Sequence, residues 1–142
     1  MQGVIYIRSY ATNANGTAYG NQISIDYEYL SLPTFRFNGH TYRVAPSPNI
    51  SGDYYTTSAS WQTANQYCQD LEAYGFSDWR LPTKDELQMM YHSQIFSNAS
   101  PEGEYFSSTE NGSGQYYTMY SGWGTFSTNR NSAYIRPIRI DY

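Results

Sequence analysis

At 142 residues the chain has room for one compact domain, or for one domain and an arm, but not for two full-sized cores. Charged residues make up 14% of it and aromatics 18%, with 17 Tyr against 6 Phe and 3 Trp, whereas an ordinary domain carries about 25% charged residues. Mean hydropathy is still negative, at −0.68, so Tyr, Ser, Thr, Asn and Gly fill surface places that Lys and Glu usually hold.

The net charge of −4, with Lys84 the sole lysine, leaves no cationic field to release counterions, which argues against a nucleic-acid partner. Arg80, Arg130, Arg136 and Arg139 are spread among neutral and acidic residues and form no basic stripe. The longest apolar runs, such as Val4 to Ile7, fall far short of the ~20 residues a membrane-spanning helix needs. Met1-Gln2-Gly3 lacks the charged and apolar regions of a signal peptide, so for the expected place on an extracellular surface or virion either export uses another route, or the chain is mature, phage-assembled or cytoplasmic. A single cysteine, Cys68, excludes an intrachain disulfide.

In chain order, Val4 to Ile7 and Ile23 to Tyr29 alternate as strands around the turn-rich Asn13-Ala-Asn-Gly16. Residues 1–34 therefore read as a β-rich N-terminal arm or oligomerisation segment. Phe35 to Val44 is a hairpin, because Asn38-Gly39 between alternating residues favours a two-residue type I′ turn. Pro46 and Pro48 end the pairing, and Ser47 to Ser58 is loop.

A first helix runs from a cap at Ser58 or Ser60 to about Ala73, with Gly75 as its left-handed terminator. Trp61, Ala64, Tyr67/Cys68 and Leu71 recur on it at helical spacing, which makes Cys68 a buried apolar residue rather than a nucleophile. The second helix opens with the capping box Thr83-Lys-Asp-Glu86 and carries Leu87, Met90 and Tyr91 on one face through about His92. Trp79 and Leu81 in the linker join Leu71, Leu87 and Met90 as the expected core. From Pro101 onward, Tyr105 to Thr109, Gln115 to Ser121, Gly124 to Thr128 and Tyr134 to Ile140 read as short strands between Gly/Ser/Asn turns.

Catalytic chemistry has little to stand on. His40 and His92 are isolated from Cys or Asp at ligand spacing, and Ser107-Ser108 has neither a nearby His nor nucleophile-elbow glycines. Glu102, Glu104 and Glu110 read more simply as solvated loop carboxylates than as calcium ligands. We expect no enzyme activity, no catalytic residue, no metal and no cofactor.

Three ordered motifs, Asp78-Trp-Arg-Leu-Pro-Thr-Lys-Asp-Glu-Leu87, Tyr105-Phe-Ser-Ser-Thr109 and Tyr134-Ile-Arg-Pro-Ile-Arg139, resemble the Lcl C-terminal domain family of bacteria and phages. The resemblance spans roughly residues 35 to 142. It implies an α+β, C-type-lectin-like domain over 35–142, with two helices and a small, mostly antiparallel sheet whose first and last strands pair. The enzymatic relative of that fold, the formylglycine-generating type, works with a pair of cysteines, and this chain has one. Sugar-binding C-type lectins hold calcium through Glu-Pro-Asn or Gln-Pro-Asp and Trp-Asn-Asp strings, and none is present. The end of the chain is also similar to the variable region of retroelement-diversified proteins, in which mutated adenines generate Tyr, Ser, Asn, Asp and Gly.

Residues 109 to 132 have the alphabet of an antibody paratope: rigid Tyr and Trp for contact area, and Ser, Gly and Asn for adaptable hydrogen bonds. If Met119 points into the core, Tyr117 shares its face, and Tyr116, Thr118 and Tyr120 point the other way. Phe126 is the inward residue of its strand, with Thr125 and Ser127 outward. The expected ligand-binding face is Asn111, Ser113, Tyr116, Tyr120, Trp123, Thr125, Ser127, Asn129 and Asn131. It would serve a module that recognises a protein or glycan receptor and is displayed on a cell surface, pilus or phage particle as a homo-oligomer or part of a larger assembly. The alternative is a structural virion or fibre subunit whose Tyr-rich surfaces make subunit contacts.

Overall fold

The computed structural model describes residues 4–13, 16–48, 60–96 and 102–142, and the chain falls into two units, Met1–Leu32 and Pro33–Tyr142. The expected loop from Ser47 to Ser58 lies outside the described residues beyond residue 48, as does the centre of the Asn13 to Gly16 turn.

In the first unit, β1 (Val4–Asn13) and β2 (Gly16–Asp26) form an antiparallel ribbon, with a register shift between Arg8 and Tyr10. The chain then turns into a short helix, α1 (Tyr27–Ser31), where the alternation suggested that the strand would continue to Tyr29. Leu32 N–H bonds the Tyr29 carbonyl at 3.1 Å and the Ser31 hydroxyl bonds the Glu28 carbonyl at 2.7 Å. Pro33 follows directly, and a residue preceding proline is disfavoured in the helical region, which stops α1 after one turn.

The second unit is an α+β domain. β3 (Thr34–Phe37) and β4 (His40–Val44) make the expected hairpin, and Asn38 (φ 51°) and Gly39 (φ 79°) both take the left-handed conformation that a type I′ turn demands. After the undescribed loop comes α2 (Trp61–Asp70), whose cap is Ser60, and then α3 (Lys84–His92), with both halves of the Thr83/Glu86 capping box in place. β5 (Glu104–Glu110), β6 (Tyr116–Tyr120) and β7 (Thr125–Ser127) form one antiparallel sheet in that order. The last strand, β8 (Ile138–Ile140), pairs antiparallel with β4 to give a second sheet, β3-β4-β8, so the first and last strands of the domain are joined.

β8 is shorter than the expected Tyr134 to Ile140 because that segment serves both sheets in turn. Tyr134 bridges β5, accepting from Phe106 N–H at 3.1 Å and donating to the Glu104 carbonyl at 2.8 Å. Pro137, which has no N–H, then takes the chain across to β4.

α2 ends at Asp70, three residues before the expected stop, because Leu71 is already extended (φ −69°, ψ 117°). Gly75 consequently terminates no helix. With Tyr74 (φ 58°) and its own φ of 82°, it makes a two-residue turn across which Ala73 and Phe76 exchange two 3.0 Å backbone hydrogen bonds. Leu71, freed from the helix face, is half-buried and is not a core residue.

The β5-β6-β7 sheet is covered on both sides. Tyr105 and Met119 face a core with Leu87 and Met90 of α3 and with Phe35, Val44 and Ile138 of the other sheet. Phe106 faces a second core with Ala64 and Cys68 of α2, Leu81 and Ile135. Burying side chains of this size stabilises the fold by roughly 1.5–3 kcal/mol each. Thr118, expected to face outward, is fully buried under this second layer.

Trp79 is 3% exposed, and its indole N–H is fixed on the Ala73 carbonyl at 3.2 Å. Arg80 grips Glu86 through both carboxylate oxygens, at 2.7 and 2.8 Å, and also bonds the Leu81 carbonyl.

Candidate ligand-binding face

Among the described residues a cleft opens beside the second core. Trp61, the first residue of α2, is half-buried and packs against the second core. Its indole N–H bonds the Ser107 carbonyl at 2.9 Å, and its ring lies flat on Tyr116 of β6, with centroids 3.6 Å apart and planes 7° from parallel. Trp61, Gln62, Phe106, Gly114, Gln115, Tyr116 and Thr128 to Asn131 line a cleft of about 200 Å³. The lining is rich in amides, and among the described residues Arg130 is its only charged group. Arg130 reaches Glu104 at 3.3 Å, and the second Glu104 oxygen is buried with no hydrogen-bond partner among the described residues.

The loop between β5 and β6 is held by its own polar groups. Asn111 Oδ1 accepts from Ser113 N–H at 2.8 Å and Gln115 N–H at 3.4 Å, its amide donates to Gln115 Oε1 at 3.2 Å, and Glu110 accepts from Gly114 N–H at 2.8 Å. Gly112 and Gly114 take φ values of 89° and 79°, so the loop conformation suits glycine at both places. The cleft wall is thus preorganised, and binding need not order it.

A second patch lies at the turn between β6 and β7. Trp123 is 75% exposed and leans on Tyr120, with ring centroids 5.1 Å apart. The Tyr120 hydroxyl donates to Glu102, and that carboxylate raises the phenol above its ordinary pKa. Gly124 packs its backbone against Tyr91, where a Cβ would come within 2.7 Å of the ring. The turn is therefore shaped by close contact as well as by its positive φ of 70°.

Tyr116, Asn129 and Asn131 of the expected face line the cleft, while Tyr120, Trp123 and Thr125, the β7 partner of Tyr120, cluster at the turn. Ser113 is exposed on the loop. Asn111 is occupied in holding that loop, and Ser127 is half-buried with its hydroxyl 3.3 Å from that of Thr118.

Sequence reasoning missed Trp61, Gln62, Gln115 and Arg130. Gln115 and Arg130 lie inside the paratope-like segment and could have been found there by composition. Trp61 could not, because its helical spacing assigned it wholly to the core.

Other candidate groups serve the scaffold. Lys84 sits over the rings of Tyr117 and Phe126, 4.3 and 5.1 Å from their centroids, and is pinned to the sheet. Arg136 bonds the Ala45 carbonyl at 2.7 Å, and Arg139 bonds Asp78 at 2.6 and 3.2 Å while covering Phe76. Burial pushes the Cys68 thiol up to about 12, so it stays protonated near neutrality. Among the described residues no three His, Cys, Asp or Glu side chains are grouped to hold a metal ion, and no helix is long and apolar enough to cross a membrane.

The motif that runs from Asp78 to Leu87 is accounted for by packing, capping and ion pairing. So is the one that ends in Arg136 and Arg139, and both were carriers of the family resemblance. No relative is found among the curated proteins. Residues 36–139 match the Lcl C-terminal domain model, and the chain belongs to the Lcl C-terminal domain family.

Proposed function

We propose that the Pro33–Tyr142 unit is a recognition module that binds by shape and hydrogen bonding rather than by catalysis. Its receptor would be a protein or glycan on a target surface, and the chain would be displayed on a cell surface, pilus or phage particle. The observation that carries this reading is the cleft between the Trp61–Tyr116 stack and the Asn129–Asn131 segment. An aromatic wall with convergent amides suits an uncharged ligand rich in hydroxyl or amide groups, because the amides offer donors and acceptors without the cost of desolvating a charge. The exposed Tyr120–Trp123 pair supplies a second contact of the kind that anchors interfaces.

The test is attachment of the labelled chain to a glycan array and to a panel of bacterial cells, with Asn129→Ala/Asn131→Ala compared with the unaltered chain. Both side chains are exposed, so the melting temperature should hold while attachment is lost. Unchanged attachment to every target that the parent binds removes the cleft from the reading.

The alternative, a structural virion or fibre subunit, is favoured by one observation, the long β1–β2 ribbon that stands as part of a separate unit.

A further inference from the structure

The turn between β6 and β7 is fixed by backbone bonds and by close packing. Ser121 N–H bonds the Gly103 carbonyl at 2.8 Å, and Gly103 N–H bonds the Ser121 hydroxyl at 3.1 Å. Trp123 and Gly124 N–H both bond the Tyr120 carbonyl, at 3.3 and 2.8 Å. At Gly122 a Cβ would come within 2.7 Å of both Glu102 Oε1 and the Tyr120 ring, so bare backbone closes on the hydrogen bond between those two side chains.

The turn therefore presents one carboxylate and two rings in a set arrangement. Glu102 is exposed and, among the described residues, accepts from Tyr120 but has no ion-pair partner. Glu104, opposite Tyr120 in the β5–β6 register, is by contrast engaged by Arg130. The rings of Tyr120 and Trp123 meet at 58° rather than stacking flat, and Trp123 stays largely in water. Ring faces carry negative potential and attract cations.

The charge pattern agrees. Residues 33–142 hold ten Asp or Glu against seven Lys or Arg, a net charge of −3. All seven bases are engaged elsewhere: Arg43, Arg80, Arg130 and Arg139 in ion pairs, Lys84 on the Tyr117 and Phe126 rings, Arg136 on the Ala45 carbonyl and Arg36 on Thr41. The attraction at Glu102 is thus left for a cation from outside this unit.

We propose that Glu102, Tyr120 and Trp123 form a seat for a basic side chain, lysine or arginine, of a protein partner. This rests on the recognition reading above and assigns the chemistry of its second contact. An ammonium or guanidinium can donate N–H to the Glu102 carboxylate while its stem lies along the rings. A quaternary ammonium such as choline has no N–H to donate and is held by cages of several rings, which two touching rings do not make.

The test titrates Nα-acetyl-lysine amide into the 142-residue chain, with nuclear magnetic resonance shifts of the Trp123 indole N–H and of the Gly122 and Gly124 amides as the readout. Nα-acetyl-norleucine amide, which lacks the ammonium, and tetramethylammonium are run beside it. The lysine probe should move all three signals saturably, and the norleucine probe should leave them in place. Glu102→Gln, which can still accept from Tyr120, should weaken lysine binding about two- to five-fold. No response to the lysine probe overturns the proposal. So does an equal response to norleucine, undiminished binding by Glu102→Gln, or tighter binding of tetramethylammonium, which would assign the turn to choline groups. Attachment separates this inference from the cleft reading. If Glu102→Gln attaches to protein targets as the parent does while Asn129→Ala/Asn131→Ala does not, the basic seat falls and the cleft stands; the reverse result removes the cleft and keeps the seat.

Discussion

Trp61 of α2 and Tyr116 of β6 lie face to face, 3.6 Å between centroids and 7° from parallel, and this stack joins the second core to the candidate cleft. Trp61 packs against the core that contains Phe106, and both rings of the stack line the cleft. The two rings should therefore be energetically coupled. In a double-mutant cycle of Trp61→Ala and Tyr116→Ala, chemical denaturation should give a coupling of about 0.5–1.5 kcal/mol beyond the separate losses. A coupling near zero would mean that the rings merely share a surface.

The Arg80–Glu86 pair predicts a pH dependence. Burial alone would raise the Glu86 carboxyl, but the Arg80 and Thr83 hydrogen bonds outweigh it and hold the group below its usual range. A depressed folded-state value contributes stability that is fully present above the unfolded value, about 4.3, and is lost as pH falls through the folded one. Stability from this source should stay flat from neutrality to about pH 5 and then decline on further acidification. Glu86→Gln should lower stability near neutrality by about 1–3 kcal/mol, and its acid decline should be shallower. Urea midpoints collected across that pH range check both signs.

Cys68 is fully buried on α2, and its thiol is pushed up to about 12. It should resist an aromatic disulfide reagent in the native protein at neutral pH and react fully in denaturant. A thiol that titrates at once would mean that the second core opens readily around Ala64 and Leu81.

The sequence made most legible those features whose causes are local. Asn38-Gly39 sets its own turn, and Thr83 and Glu86 are three residues apart and complete each other's hydrogen bonds. The parity of β6 was likewise readable, since Met119 and Tyr117 do share the face opposite Thr118 and Tyr120. Local pattern misled where a distant segment decides. Thr118 is buried because α2 and the Ala133–Ile135 segment cover a face that alternation alone leaves in water. Tyr27 to Tyr29 alternates acceptably for a strand, yet it forms a helical turn stopped by Pro33. The candidate site was half legible: Tyr116, Asn129 and Asn131 were recognisable by composition, whereas the Trp61 wall comes from a helix that precedes that segment by about half the domain.

Two tryptophans should separate stability from recognition. Trp79 is 3% exposed, donates to the Ala73 carbonyl and meets Tyr74 edge-on. Its replacement by Ala removes a large buried side chain and leaves the Ala73 carbonyl without that donor, and should cost about 3–5 kcal/mol. A domain of this size has little more than that to lose, so Trp79→Ala should be largely unfolded at ambient temperature. Trp123 is 75% exposed and leans on Tyr120, so Trp123→Ala should change stability by no more than about 0.5 kcal/mol. If the turn between β6 and β7 is part of the recognition face, Trp123→Ala should nevertheless weaken attachment to any target the parent chain binds. Thermal melts followed by far-ultraviolet circular dichroism, with attachment measured on the same preparations, resolve the two effects. A large melting shift in Trp123→Ala would make that aromatic a structural contact, and unaltered attachment would confine recognition to the cleft beside Trp61.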